Sequence, residues 1–403
     1  MSPVPDLERT RWPVVVALVA GGIIAALHVG KVPPALAALR GELGLGMVAA
    51  SFIVSTFNVL SMTLGLMAGV LADRLGRRRL VVFGLLSLAT GGLIGATGTG
   101  YALLLASRVL EGLGFVIVSV ASPALVLAAT APRDRSSALS LWSVFMPAGM
   151  ALALVASPWL LEAAGWRGVW LVIAAVAGAG AVLVLRATAG LPVHPPPEGP
   201  PWRVLAESLR RPGLLLLGAT FGAYAFQWIA VMVWLPTFLP AALGVRPETA
   251  ALLTALVVVV NVPGNLTGGW LLRKGVPAPR LMMSVAVIMA ACGAGLFSTV
   301  LPESARFALV LLFSAAGGII PAAIFASMPA QAPSPRHLAA ANGMLMQGSN
   351  IGQFMGPPLI AAAVTAAGGA WTGAIVPMLA AAGVCALAAG LSGRPATRRP
   401  HVP

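Results

Sequence analysis

Long apolar runs recur along the whole chain, and they constrain its fold more than any other feature. About twelve runs can be placed, most of them at or above the ~20 residues that a helix needs to cross a bilayer. The runs are continuous, whereas the strands of a membrane barrel alternate apolar and polar residues. The sequence therefore predicts an all-α polytopic membrane protein with spans at 13–35, 47–72, 79–98, 101–130, 137–161, 166–186, 213–240, 249–272, 281–301, 306–331, 338–363 and 371–391.

The composition excludes other classes of protein. Of the 403 residues, 59% are hydrophobic and only 9% are charged, whereas a soluble domain carries roughly 25% charged residues. A disordered chain is excluded too, because such chains are polar and highly charged. Cys292 and Cys385 both lie in apolar runs, so no disulfide framework is expected. The first run lacks an obvious cleavage site and is interpreted as a retained span.

The positions of the basic residues predict the orientation. The net charge is +14, and most of the 25 Lys and Arg residues fall in gaps that are cytoplasmic if the amino terminus is cytoplasmic. Cytoplasmic loops are enriched in Lys and Arg, so both termini are expected on the cytoplasmic side of the cell (inner) membrane. This bias explains the basic charge without a nucleic-acid partner.

A Pro-rich stretch divides the chain near its midpoint. Residues 187–212 contain the run Pro195–Pro201, which a helix cannot continue through. We interpret this stretch as a cytoplasmic linker between an N-terminal bundle at 1–186 and a C-terminal bundle at 213–403 that ends in a short basic tail. Two bundles of six helices around a central cavity suit alternating access.

The loop after the second predicted span carries a specific motif. Residues 69–79 read Gly-Val-Leu-Ala-Asp-Arg-Leu-Gly-Arg-Arg-Arg, which resembles the signature loop of the major facilitator superfamily between spans two and three. The resemblance implies that superfamily's twelve-helix fold and transport by a monomer, with no enzymatic activity, cofactor or metal. Asp73 is predicted to latch the inner side shut in one conformation, or else the arginines only anchor the topology. The predicted gating residues are Gly69, Asp73, Arg74, Gly76 and Arg77.

The fourth span holds the sequence Arg108-Val-Leu-Glu111-Gly112, which resembles the superfamily's fourth-span motif. Charges inside a membrane cost about 2.5–3.5 kcal/mol each on insertion scales and need partners or a wet cavity. Residues three apart share a helix face, so Arg108 and Glu111 are able to pair. One interpretation is an internal ion pair. The other makes Arg108 an anion-binding residue and Glu111 a proton acceptor, and the two are compatible.

The first span contributes His28 and Lys31, which share a face. Lys31 lies near the predicted outer edge, where a lysine is able to extend to water, or else it binds substrate. His28 lies deeper and is either a hydrogen-bonded packing residue or a proton-coupling group, since its ordinary titration range suits proton exchange.

The second half supplies amides and aromatic side chains. On the eleventh span, Gly348, Gly352 and Gly356 form a stripe suited to close helix packing. A second stripe on nearly the opposite face consists of three amides, Gln347, Asn350 and Gln353. The amides either point into the cavity or make hydrogen bonds between helices. The predicted substrate-binding residues of this half are Tyr224, Gln227, Asn261, Asn350 and Gln353.

Three functions are weighed. The first is a secondary transporter that moves a small organic anion by proton-coupled symport; residues 141–143 and 234–236 loosely resemble the cyanate/nitrate-type permease branch. The second is a proton-driven exporter of drugs or metabolites, which is disfavoured because residues 145–150 depart from the usual antiporter motif. The third is a membrane enzyme or sensor, which is disfavoured because no catalytic constellation appears.

Overall fold

The computed structural model describes residues 9–63, 76–191, 206–333 and 337–393. Within these ranges all regular elements are helical. The N-terminal half contains α1 (Trp12–Gly30), α2 (Val32–Leu43), α3 (Met47–Ser55), α4 (Arg77–Thr97), α5 (Tyr101–Ala128), α6 (Arg135–Ser143) and α7 (Phe145–Ala187). The C-terminal half contains α8 (Pro212–Leu243), α9 (Pro247–Arg273), α10 (Ala278–Phe297), α11 (Glu303–Gly317), α12 (Ile319–Gln331), α13 (Leu338–Ala366) and α14 (Ile375–Ser392).

The predicted all-helical membrane fold is confirmed. In the described residues, nine helical segments are long and apolar enough to cross a bilayer. One of them, Ser137–Ala187, turns at Gly165, whose φ of 64° lies in the left-handed region that glycine adopts without strain. That turn separates the predicted fifth and sixth spans. The count of twelve spans and the cytoplasmic position of the termini stay predictions.

Among the described helices, the first and tenth predicted spans differ most from the structure. The first extends beyond residue 35, because α1 and α2 form one apolar segment over Trp12–Leu43. Pro33 does not interrupt it, since proline is tolerated in the first turn of a helix and Pro33 lies in the first turn of α2. The segment ends at Gly44, which has φ 63°. The tenth predicted span is divided at Gly318 into α11 and α12.

Glycines bring several helices into backbone contact. A Cβ on Gly84 of α4 would lie 2.8 Å from the carbonyl oxygen of Gly114 on α5. The predicted stripe of Gly348, Gly352 and Gly356 packs against the backbone of α8, which confirms its predicted role in helix packing. In a bilayer, small residues at such contacts allow helices to approach closely and to gain van der Waals energy.

Among the described residues, the most extensive contacts between the two halves are made by three pairs of helices. These are α2 with α8, α3 with α13, and α7 with α9. Between α3 and α13, the rings of Phe52 and Phe354 lie edge to face with centroids 6.5 Å apart. The Gln347 side chain donates a hydrogen bond from Nε2 to the carbonyl oxygen of Met62, at 2.9 Å. Of the two alternatives for the amides of this helix, Gln347 therefore makes a hydrogen bond to a neighbouring segment.

Candidate functional site

Four ionisable side chains from α1, α5 and the junction of α1 with α2 meet inside the N-terminal half. We call His28, Lys31, Arg108 and Glu111 the ion cluster. The Lys31 Nζ atom lies 2.6 Å from Glu111 Oε1 and 3.2 Å from His28 Nδ1. His28 Nδ1 lies 3.2 Å from the same carboxylate oxygen, and Arg108 Nη1 contacts the other one, Oε2. All four residues are fully buried, so every one of these charges is held away from solvent.

Backbone carbonyl groups and an aromatic ring hold Arg108 in place. Its Nε donates to the Ile53 carbonyl oxygen at 2.9 Å, and its Nη1 donates to that of His28 at 3.0 Å. The guanidinium also lies over the ring of Phe57, 4.4 Å from the centroid. A planar guanidinium suits this combination of carbonyl contacts, carboxylate pairing and stacking, which the compact ammonium of lysine does not reproduce.

The Lys31 side chain is held on an aromatic ring as well. Its Nζ lies 4.5 Å from the ring centroid of Trp170 on α7, a cation–π arrangement that favours the charged amine. Lys31 is fully buried, so the interpretation that it extends to water is wrong. The reason is tertiary: α2 continues the helix past Lys31, and α5 and α7 enclose the amine.

Glycines of α4 make room for the carboxylate. A Cβ on Gly91 would lie 2.7 Å from Glu111 Cγ, and a Cβ on Gly92 would lie 3.5 Å from Glu111 Oε1. Without side chains at these positions, α4 approaches α5 closely enough to shield the cluster from lipid. The small residues therefore determine both the packing and the burial of the ions.

The ion cluster has more basic groups than acidic ones. Glu111 is the single carboxylate facing Lys31, Arg108 and His28 among the described residues. Buried charges are stable only when they are paired and hydrogen-bonded. Two nitrogens, His28 Nε2 and Trp170 Nε1, are buried and find no hydrogen-bond partner in the part of the chain that the structure describes. The arrangement is able to bind an anion and to accept a proton at one carboxylate.

A neutral polar network lies in the C-terminal half. Asn261 Nδ2 on α9 donates to the Tyr224 hydroxyl at 3.3 Å and to the Ser314 carbonyl oxygen at 2.9 Å. Asn265 Nδ2 donates to Asn261 Oδ1 at 3.0 Å, and Trp228 Nε1 donates to Ser314 Oγ at 3.1 Å. These five residues, which we call the amide network, connect α8, α9 and α11.

Three predicted substrate-binding residues lie outside the amide network. Gln227 donates to the Ala223 carbonyl oxygen of its own helix at 3.1 Å, and its Oε1 finds no partner among the described residues. Gln353 donates to Ser349 Oγ at 3.2 Å, also within one helix. Asn350 is 9% exposed. Of the five predicted substrate-binding residues of this half, the structure thus brings only Tyr224 and Asn261 into contact with each other.

The predicted gating loop is described only at its end. Gly69, Asp73 and Arg74 lie outside the described residues. Gly76 has φ 86° and precedes α4, which begins at Arg77. The next residue, Arg78, donates to the Leu185 carbonyl oxygen at 2.7 Å and to Thr188 Oγ1 at 3.1 Å. The start of α4 is therefore attached to the end of α7.

Several residues of the site carry no signal in the sequence. Phe57 and Trp170 look like ordinary core aromatics, and Ser314 is one hydroxyl in an apolar run. Gly91 is one of several glycines in its helix. Their roles follow from which helices pack together, and only the i, i+3 spacing of Arg108 and Glu111 indicates a pair in advance.

A model of the Major Facilitator Superfamily matches residues 18–357. The chain belongs to the Major Facilitator Superfamily. In agreement, the structure resembles a crystal structure of a bacterial homologue of the human lysosomal transporter Spinster in an inward-facing, unoccupied conformation. The TM-score is 0.80 at 17% identity, over 96% of this chain and 97% of that one. At this identity the likeness shows the fold alone.

Curated relatives in this superfamily have several different names. The chain is 26% identical to the putative niacin/nicotinamide transporter NiaP of Bacillus subtilis (strain 168), over 84% of this chain and 85% of that protein. It is 25% identical to the methylenomycin A resistance protein of the same organism, over 44% of this chain and only 39% of that protein. The chain thus spans less than half the length of that resistance protein, and as a member of the Major Facilitator Superfamily it is a multi-pass membrane protein.

Proposed function

We propose that this transporter moves a small organic anion together with protons across the cell (inner) membrane by alternating access. The single observation that carries the proposal is the ion cluster, in which one buried carboxylate faces two cations and a histidine. A transporter of neutral cargo has no evident need for this costly arrangement, since each buried charge must be compensated.

Protonation of Glu111 couples the two transported species. In its charged form, Glu111 occupies the hydrogen-bond donors of Lys31 and Arg108. Once protonated, it no longer compensates these cations, and a substrate carboxylate takes its place. His28, at 3.2 Å from both Glu111 and Lys31, passes the proton to or from Glu111. Because the proton enables anion binding, both species move in the same direction, as symport requires.

The second half presents neutral donors to the cargo in this proposal. Tyr224, Gln227, Asn261, Asn350 and Gln353 supply hydroxyl and amide groups, which orient a small anion without adding charge. Asp73 with Gly69, Arg74, Gly76 and Arg77 forms the gate on the cytoplasmic side. The transporter acts as a monomer and uses no cofactor.

The relative named for niacin and nicotinamide supports a small organic molecule as the cargo. Niacin is a carboxylic acid and nicotinamide is its neutral amide, and the alignment with that putative transporter extends over 84% of this chain. The methylenomycin resistance relative favours a second candidate, proton-driven efflux of a drug or metabolite. In that case Glu111 binds a proton in exchange for the exported compound.

Uptake into proteoliposomes tests the proposal. Labelled nicotinate, benzoate and acetate are offered with and without an inward-directed proton gradient. We expect at least one acid to accumulate only with the gradient, and Glu111→Gln to abolish gradient-driven accumulation. Glu42→Gln is the matched control, since Glu42 pairs with Arg167 at an exposed site. Normal anion uptake by Glu111→Gln and Arg108→Ala contradicts the proposal, and export of lipophilic cations supports the efflux candidate instead.

A further inference from the structure

A row of aromatic rings leads away from the ion cluster. It begins at Phe57, whose ring lies 4.4 Å below the Arg108 guanidinium. The Phe115 ring follows at 5.2 Å from Phe57, and the Phe145 ring at 6.4 Å from Phe115. Trp142 ends the row, stacked on Phe145 with centroids 4.6 Å apart. We call Phe57, Phe115, Phe145 and Trp142 the aromatic row.

The four rings of the aromatic row come from separate parts of the N-terminal half, and each ring contacts the next one. Phe57 follows α3, Phe115 is on α5, Phe145 begins α7, and Trp142 is on α6. Gly22 of α1 makes space beside the row, because a Cβ there would lie 2.8 Å from the Trp142 ring. Rings from four parts of the N-terminal half therefore form one continuous series of aromatic contacts.

The exposure of the rings changes along the row. The two end members, Phe57 next to the ions and Trp142, are buried, whereas Phe115 and Phe145 between them are half-buried. Phe115 and Phe145 pack against the buried core but keep part of their surface uncovered, and a ligand ring is able to contact that part. The ion cluster beside Phe57 holds two cations, and its His28 Nε2 and the neighbouring Trp170 Nε1 find no hydrogen-bond partner among the residues that the structure describes.

We infer that the cargo is an aromatic carboxylate, which binds with its carboxylate at Lys31 and Arg108 and its ring against the half-buried Phe115 and Phe145. The inference rests on the proposed function and names the substrate class of the same site. The carboxylate replaces that of Glu111, and the ring extends along the aromatic row, where offset or edge-to-face contacts between rings are favourable. Trp170 Nε1 supplies a further hydrogen-bond donor at the carboxylate end.

A pair of acids with the same carboxylate tests the inference. Benzoate and cyclohexanecarboxylate are similar in size, but only benzoate has a π face. In proteoliposomes with a proton gradient, we expect benzoate to have an inhibition constant about fivefold lower, the range that one aromatic contact supplies. Phe115→Leu is expected to bring the ratio of the two constants close to one, and Phe145→Leu to reduce it.

Phe83→Leu is the control, because Phe83 is 52% exposed and lies outside the aromatic row. The ratio of the two inhibition constants in this variant is expected to equal that of the unchanged protein. Equal constants for the two acids overturn the inference and leave the proposed function intact, since both acids are then bound as anions. An unchanged ratio in monodisperse Phe115→Leu and Phe145→Leu also overturns it. If neither acid binds while a cation is transported, the proposed function fails together with the inference.

Discussion

The Lys31 ammonium lies 2.6 Å from the Glu111 carboxylate, although neither side chain is exposed and 80 positions separate them in the chain. This contact joins the junction of α1 and α2 to the middle of α5. Because both groups are enclosed, the loss of either partner leaves a charge with reduced compensation in a region that water does not reach.

The first prediction concerns stability. Glu111→Gln is expected to lower the free energy of unfolding by about 3–5 kcal/mol, because it leaves Lys31 and Arg108 without their counter-ion. Lys31→Met combined with Glu111→Gln is expected to lose less than the sum of the two single changes, with a coupling energy of about 1–3 kcal/mol. Denaturant titration in detergent measures both quantities. Glu42→Gln is the control and is expected to have a much smaller effect, and additive losses contradict the direct pairing.

The second prediction concerns the space beside the carboxylate. Gly91→Ala places a Cβ 2.7 Å from Glu111 Cγ, so α4 must move outwards or Glu111 must turn. We expect a loss of about 1–3 kcal/mol in stability, typical of overpacking, together with slower gradient-driven uptake. Gly178→Ala serves as the control, since nothing lies within 4 Å of a Cβ there. Equal melting temperatures for the two variants would show that the Gly91 contact is unimportant.

The third prediction concerns the contact between the halves. Gln347→Leu removes the hydrogen bond from α13 to the carbonyl oxygen of Met62, which lies in the segment after α3. A neutral hydrogen bond is worth about 1 kcal/mol, so the population in which these helices separate is expected to rise about fivefold. Spin labels on Thr63, which follows α3, and on Ile351 of α13 report the distance distribution. An identical distribution in the variant rules out a contribution of this bond to the equilibrium.

The fourth prediction compares the effects of substituting two members of the amide network. Asn261→Ala removes the donors to both Tyr224 and Ser314, whereas Tyr224→Phe leaves Asn261 bonded to the Ser314 carbonyl oxygen. We therefore expect a stability loss of about 1–3 kcal/mol for Asn261→Ala and about 1 kcal/mol or less for Tyr224→Phe. The KM for the transported acid rises in both. Tyr101→Phe loses a hydroxyl that bonds Ala49 instead, and a KM change of the same size in this control refutes a specific role for the network.

The helices and one pair of site residues were predictable from the sequence for simple physical reasons. A continuous apolar run leaves the backbone no partner but itself in lipid, so the run becomes a helix. The spacing of Arg108 and Glu111 puts them on one face whatever the surroundings. The stripe of Gly348, Gly352 and Gly356 likewise indicates a close packing face without knowledge of which helix it contacts.

The enclosure of Lys31 was not predictable in this way. Its depth along the first span indicated access to water, yet that span continues through α2 and Trp170 covers the amine. The position of a charge along one helix says nothing about which neighbours surround it. For the same reason, the distance between Tyr224 and Asn261 depends on how α8 and α9 pack, and Gln353 bonds a serine of its own helix instead of joining them.

The N-terminal half contains two kinds of contact between helices. Gly149 of α7 lies against the Ile23 backbone of α1, and Gly84 and Gly114 hold α4 against α5; in both places shape alone determines the fit. Between α1 and α5 the fit depends on charge. Protonation of the Glu111 carboxylate therefore weakens the contact between α1 and α5, while the glycine contacts of α1 with α7 and of α4 with α5 are unaffected. We expect the two helix pairs to separate from each other as rigid units at the α1–α5 contact.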